Sequence, residues 1–186
     1  MEKEYIRQLI HASGIFIVFF GWFLNPTILI LICIIIVIFV EILFRIDRYR
    51  NIPLISPFLS TCKRKDDEKG FVYFFLGIIL TIYFFQFNMA VVNAAIIILL
   101  FGDSASTIIG KEYGSTALPL NKQKTVIGTL AFFMVAFIGT LTQLPALPAL
   151  IGAVSGAITE AYSPIDDNIP IPLISALAMS IVIYFI

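Results

Sequence analysis

The stretch ILILICIIIVIFV, residues 28–40, holds no charge, and Cys33 is its one break in an otherwise aliphatic and aromatic run. Such a run leaves no helical face for water, so it reads as a helix surrounded by apolar matter. Extended to its natural limits it covers 26–44. That is close to the roughly 20 residues needed to cross about 30 Å of hydrocarbon. Working outward, further apolar segments cover 6–24, 71–87, 89–109, 125–143, 145–161 and 169–186. Asn25-Pro26, Gln86-Phe87-Asn88 and Gln143-Leu144-Pro145 read as tight turns between them, because Pro and Asn interrupt helices there. The expected fold is all-α, a polytopic membrane bundle of about seven transmembrane helices. It forms a single domain over 1–186.

Composition agrees. Of 186 residues, 60% are hydrophobic and 13% charged, against roughly a quarter charged in soluble domains. The formal net charge is zero, so charges act by position, and a general attraction to nucleic acid is not expected. Lys and Arg fall in the amino-terminal stretch, in 45–70 and in 110–124, while alternate connections are short and uncharged. Cations resist transfer across a bilayer, so these segments are expected in the cytoplasm, with the amino terminus inside and the carboxyl terminus outside. No small-residue cleavage site follows the first apolar segment, so no cleavable signal is expected. Cys33 and Cys62 fit no metal-ligand spacing and read as ordinary thiols.

Three polar clusters stand out from this apolar background. The first runs from Gly102-Asp103-Ser104-Ala105-Ser106-Thr107 through Gly110-Lys111 and Gly114 to Pro119, Asn121, Lys122 and Lys124-Thr125. Asp103 ends an apolar segment, where an ionised carboxylate needs a compensating cation or hydrogen bonds. Gly110 and Gly114 expose backbone N–H groups to which a phosphate can come close. Lys111, Lys122 and Lys124 supply cations, and Thr125 opens a helix whose N-terminus favours an anion. The second cluster, Glu160 followed by Asp166-Asp167-Asn168, is a hard-oxygen set suited to Mg²⁺. Helix N-capping by Asp or Asn accounts for one of these residues equally well. The third is Arg7 and His11, neighbours at i, i+4 on the first segment.

On these residues the chain resembles the integral-membrane phytol and dolichol kinase family, related to the membrane cytidylyltransferases. The family pattern is matched by Gly102-Asp103, Ala105, Gly110 to Gly114, Pro119, Asn121, Lys124-Thr125 and Gly128. Its later element is matched by Glu160, Asp166-Asp167-Asn168 and Pro172-Leu173, and an early Arg-x-x-x-His by Arg7 and His11. Cytidylyltransferases carry an acid before the last glycine, whereas this chain has Ile127, a departure that favours the kinase branch.

The resemblance implies phosphoryl transfer from CTP, or another nucleoside triphosphate, to the hydroxyl of an isoprenoid alcohol such as phytol, geranylgeraniol, farnesol or a polyprenol. The alternative is CDP-lipid formation, and a small membrane transporter is a further one. The expected catalytic set is Asp103, Lys124, Glu160 and Asp167, with the proton acceptor left open between Glu160 and an aspartate. Gly102, Gly110, Lys111, Gly114, Asn121, Lys122, Thr125, Asn168, His11 and Arg7 are expected to meet the nucleotide and its phosphates. Asp103, Asp166 and Asp167 are expected to hold Mg²⁺ or another divalent cation. The expected setting is a multi-pass protein of the lipid bilayer (the cell membrane in a prokaryote) whose active face is cytoplasmic. Association into a homo-oligomer is compatible with this pattern.

Overall fold

The computed structural model describes residues 2–50 and 70–186. Among them every regular element is helical, apart from one isolated bridge between Ala117 and Thr125. In chain order the helices are α1 (Glu2–Ala12), α2 (Ile15–Gly21), α3 (Pro26–Arg50), α4 (Gly70–Phe85) and α5 (Met89–Ile97). A π-helical turn (Ile98–Gly102) leads directly into α6 (Asp103–Tyr113), followed by α7 (Val126–Thr140), α8 (Ala146–Tyr162) and α9 (Pro170–Phe185). Cys62 and most of the basic 45–70 segment lie outside the described residues.

The breakers act where expected. Asn88 caps α5, its side-chain oxygen accepting from the Val91 N–H, and Thr125 caps α7 by accepting from the Gly128 N–H. One expectation changes. The first segment is two helices, broken at Ser13-Gly14, where the Ser13 hydroxyl donates to the Ile10 carbonyl at 2.6 Å. Gly14 is buried there, and a Cβ on it would lie 2.7 Å from the Leu100 side chain. Close approach of the chain to the centre of the bundle requires a residue without a side chain.

Two helical stretches, Pro26–Asp47 and Met89–Tyr113, are long and apolar enough to cross a membrane. Tyr5–Gly21, Gly70–Phe85, Val126–Thr140, Ala146–Tyr162 and Pro170–Phe185 are apolar but shorter. The centre is α5 with its π turn, where every residue from 91 to 100 is buried. Around it pack α7, α8 and α9, with α8 drawn in by Gly152 and Gly156. A Cβ at those two positions would meet Met179, Ile98 or Ser175 at 2.5–3.2 Å. α1 and α2 lie against the centre on another side, and α3 packs on α4 at the periphery. The π turn ends at Gly102, under the ring of Phe132, so Asp103 opens α6 at the edge of this packed centre. π turns recur at functional sites because they shift the register of the residues that follow.

Candidate active site

Asp103, Glu160 and Asp167 come from three elements, yet one oxygen from each lies within 4.8 Å of the others. Asp103 starts α6, Glu160 sits in the last turns of α8, and Asp167 occupies the turn before α9. Lys124 reaches them from the loop between α6 and α7. Its Nζ lies 2.5 Å from Glu160 Oε1 and 2.9 Å from Asp167 Oδ2. The Ser106 hydroxyl, one turn after Asp103, also donates to Glu160 Oε1 at 2.8 Å.

The loop that carries Lys124 is a short hairpin. The Leu118 N–H donates to the Lys124 carbonyl, the Val126 N–H to the Thr116 carbonyl, and the Lys124 N–H to the Asn121 carbonyl. The Asn121 side chain accepts from the Gln123 N–H and donates to the Ala161 carbonyl at 2.9 Å, which pins the loop to the end of α8. Asn121 therefore positions Lys124 beside Glu160. Burial by itself would lower the Lys124 pKa, but the carboxylates of Asp167, Asp103 and Glu160 outweigh it. The ammonium is held above the ordinary lysine value.

Three carboxyl groups thus gather round the Lys124 ammonium in a largely buried pocket. Glu160 is 2% exposed, and its Oε2 has no hydrogen-bond partner. An unpartnered buried carboxylate oxygen is costly, and a hard divalent cation is the partner that oxygen sets of this kind accept. The donor set thus fits Mg²⁺ in its chemistry.

His11 reaches the same place from α1. Its Nε2 is 3.3 Å from the Leu99 carbonyl in the π turn and 3.9 Å from Asp103 Oδ2. Arg7, His11, Asp103 and Asn168 share the wall of one cavity. Asn168 is 92% buried, its Nδ2 and backbone N–H both donating to Asp166 Oδ1.

Other expected residues stand elsewhere. Asp166 does not join the cluster of three acids. Its Oδ1 closes a turn on Asn168, and Glu160 takes the third place in the acidic group instead. Gly110, Gly114 and Gly128 lie where α6 meets Thr125 and the start of α7. A Cβ on Gly114 would stand 2.2 Å from the Gly110 carbonyl oxygen, and one on Gly128 3.0 Å from the Ser106 carbonyl oxygen. Close packing is thus a sufficient reason for these glycines. Gly102 is buried under Phe132, while Lys111 and Lys122 are exposed. Sequence reasoning overlooked Ser106 and the Ser104–Gln8 hydrogen bond, which ties α6 to α1 at 3.0 Å. Ser104 and Ser106 flank Ala105 in the first motif, which was the available signal.

No family model matches the chain, and no solved structure matches it. A farnesol kinase of Arabidopsis thaliana is 26% identical over 132 residues, covering 62% of this chain and 43% of that protein. A probable phytol kinase of Triticum aestivum is 24% identical over 147 residues, covering 69% of this chain and 49% of that protein. The chain thus spans under half the length of either plant protein. Uncharacterized protein MJ1137 of Methanocaldococcus jannaschii is 35% identical over 190 aligned residues, covering 94% of this chain and 91% of that protein. With that identity along nearly the whole of both chains, the protein belongs to the family of MJ1137.

Proposed function

We propose that the chain is an integral-membrane kinase that moves a phosphoryl group from a nucleoside triphosphate, CTP by resemblance, to an isoprenoid alcohol. One observation carries the reading. The cluster of Asp103, Glu160, Asp167 and Lys124 adjoins an apolar cavity, and Asp103 belongs to both. A charged site for phosphates beside a greasy recess is what a lipid alcohol and a triphosphate together require. The names of the two plant relatives support the same substrate class.

A multi-pass membrane setting has its own support. Large hydrophobic side chains are exposed on α2, α3, α7, α8 and α9, among them Phe19, Phe39, Leu130, Ile158 and Tyr184. Soluble monomers rarely expose so much apolar surface. The shorter helices, at 1.5 Å per residue, span about 22–26 Å, and local bilayer thinning absorbs the remaining mismatch.

In the proposed reaction the alcohol oxygen attacks the γ-phosphorus. The O–H bond and the bridging P–O bond break, a new P–O bond forms, and the nucleoside diphosphate leaves. The proton passes to a carboxylate, and Asp103 is the member of the cluster that lines the cavity. Lys124 offsets charge on the transferring group, while Asn121 and Ser106 hold Lys124 and Glu160 in place. A divalent cation held by Asp103, Glu160 and Asp167 would neutralise charge on the phosphate oxygens. Catalysis of this kind rests on alignment and electrostatic stabilisation.

The test is the purified protein in lipid nanodiscs with γ-labelled CTP, ATP and UTP against farnesol, geranylgeraniol and phytol. Labelled prenyl phosphate with nucleoside diphosphate is the expected product. Pyrophosphate release from CTP on adding a lipid phosphate, without alcohol phosphorylation, overturns the reading in favour of nucleotidyl transfer.

A further inference from the structure

α1 lies against the stretch where the π turn becomes α6, and three of its residues bond to it. The Tyr5 hydroxyl donates to Glu112 at 3.0 Å, Gln8 accepts from the Ser104 hydroxyl at 3.0 Å, and His11 Nε2 lies 3.3 Å from the Leu99 carbonyl oxygen. The last contact differs in its partner. Leu99 belongs to the π turn, whose i→i+5 bonds take in one residue more than an α turn. A carbonyl oxygen only accepts, so Nε2 carries the hydrogen between the two. Phe74 packs on the imidazole, with ring centroids 4.5 Å apart, and Gly14 lets the end of α1 close on Leu100 of the same turn. At 3.9 Å the same nitrogen is beyond hydrogen-bond length of Asp103 Oδ2, so its hold on that residue runs through the backbone. We infer that His11 is a positioning residue: its hydrogen bond to the Leu99 carbonyl holds the π turn, and the π turn aims Asp103 at Glu160, Asp167 and Lys124. That Asp103 is catalytic comes from the kinase reading, on which this inference rests.

Helix geometry sets the size of the effect. Each residue of an α-helix advances the chain by about 100° and 1.5 Å. Relaxation of the π turn into an α turn would carry Asp103 away by about one such step. Its carboxylate would then leave the group whose oxygens lie within 4.8 Å of one another. Ser106 would move with it, away from Glu160 Oε1, to which it donates at 2.8 Å. The buried Gln8–Ser104 bond, one residue beyond Asp103, steadies the other side, so α1 brackets the aspartate. Together with α2, α3 and α4, α1 also lines the cavity that reaches Asp103. One helix thus sets the register of the aspartate and walls the recess it faces.

His11 is the one histidine of the chain, so ¹⁵N-histidine labelling reports on a single side chain. Solid-state NMR of the full chain in lipid vesicles should show Nε2 protonated and coupled through space to one carbonyl of ¹³C-carbonyl-leucine protein. Leu99→Ile, which takes the label away, should remove that coupling. His11→Phe keeps a ring and loses the donor. Its kcat should fall by about 10², the scale of a 1 Å misplacement, with both KM values nearly unchanged. Mn²⁺ binding, read by electron paramagnetic resonance, should weaken about tenfold. His11→Gln sets an amide N–H where Nε2 stood and should recover most of both losses, whereas the shorter His11→Asn should not. In Asp103→Asn protein, His11→Phe should cost almost nothing further, because both changes act through one carboxylate. Absence of the His11–Leu99 coupling in the unaltered protein overturns the inference, and this measurement stands even if His11→Phe fails to fold. So do failure of His11→Gln to recover function at native helicity, and losses that simply add to those of Asp103→Asn. A raised KM for one substrate with kcat unchanged also overturns it, by placing His11 on that substrate. Mn²⁺ binding lost in His11→Phe and recovered in His11→Gln, in a protein that turns over no triphosphate, supports the inference and counts against the kinase reading. Full turnover in His11→Phe does the reverse.

Discussion

At the scale of single residues, the decisive arrangement is Lys124 between Glu160 and Asp167 with Asp103 alongside. Replacing Lys124 by Met strands carboxylates in a buried pocket. Breaking a buried pair in this way costs about 3 kcal/mol or more, so the thermal unfolding midpoint of Lys124→Met should fall measurably. The pH dependence has a definite sign. The Lys124 pKa is raised in the folded state, so its contribution is fully present below the unfolded lysine value of about 10.4 and is lost only as pH climbs through the folded one. Titration to pH 9 should therefore leave this contribution intact. Asp103→Asn keeps the shape and removes the charge facing the cavity. Turnover should drop by about 10²–10³, the usual loss when a transition-state electrostatic contact is removed, with helicity unchanged by circular dichroism. Mg²⁺ should raise the unfolding midpoint of the unaltered protein, because a ligand that binds the native state stabilises it by mass action. Glu160→Gln should lose most of that rise. The acids, Lys124 and His11 were all legible from residue type and position. Choosing between Asp166 and Asp167 was not, because adjacent residues in a turn point apart, and only the fold shows which one faces Lys124.

At the scale of elements, helix ends were well marked by Asn88, Thr125 and the prolines, since these act through local hydrogen bonds and φ restriction. The break inside the first segment was hidden. Ser13 and Gly14 are each compatible with a helix, and the break reflects how closely Gly14 must approach Leu100 and Phe74. Gly77 behaves similarly. A Cβ there would stand 2.2 Å from the Asn168 carbonyl oxygen, so α4 and the turn before α9 touch backbone to side-chain-free backbone. Gly77→Ala must push Asn168 away, at the 1–3 kcal/mol typical of overpacking. The thermal unfolding midpoint of Gly77→Ala should fall accordingly. Asn121→Ala removes the tie between the Lys124 loop and α8, about 1 kcal/mol of hydrogen bonding.

At the scale of the whole molecule, the charge pattern makes a claim about sidedness that labelling can check. In a Cys62→Ser background, cysteines introduced one at a time at Lys122 and Ser163 should react with an impermeant maleimide from one side of sealed vesicles, and cysteines replacing Asn25 and Gln143 from the other. Cys33 is fully buried and should stay unreacted in the folded protein. Reaction of all four sites from one side would remove the multi-pass arrangement.

The amino-acid sequence alone determined the helical class, most helix ends and the identity of the polar residues gathered at one site. These follow from local rules of hydropathy, backbone dihedrals and the cost of an uncompensated charge in an apolar setting. Tertiary packing decided which oxygens converge, that Glu160 completes the acidic group, and that a recess beside Asp103 is lined by α1–α4. Those depend on contacts between residues such as Ser106 and Glu160, 54 positions apart, or His11 and Leu99, 88 apart. No local property of the chain encodes such separations, because they arise only when helices with bare glycine faces press together around α5.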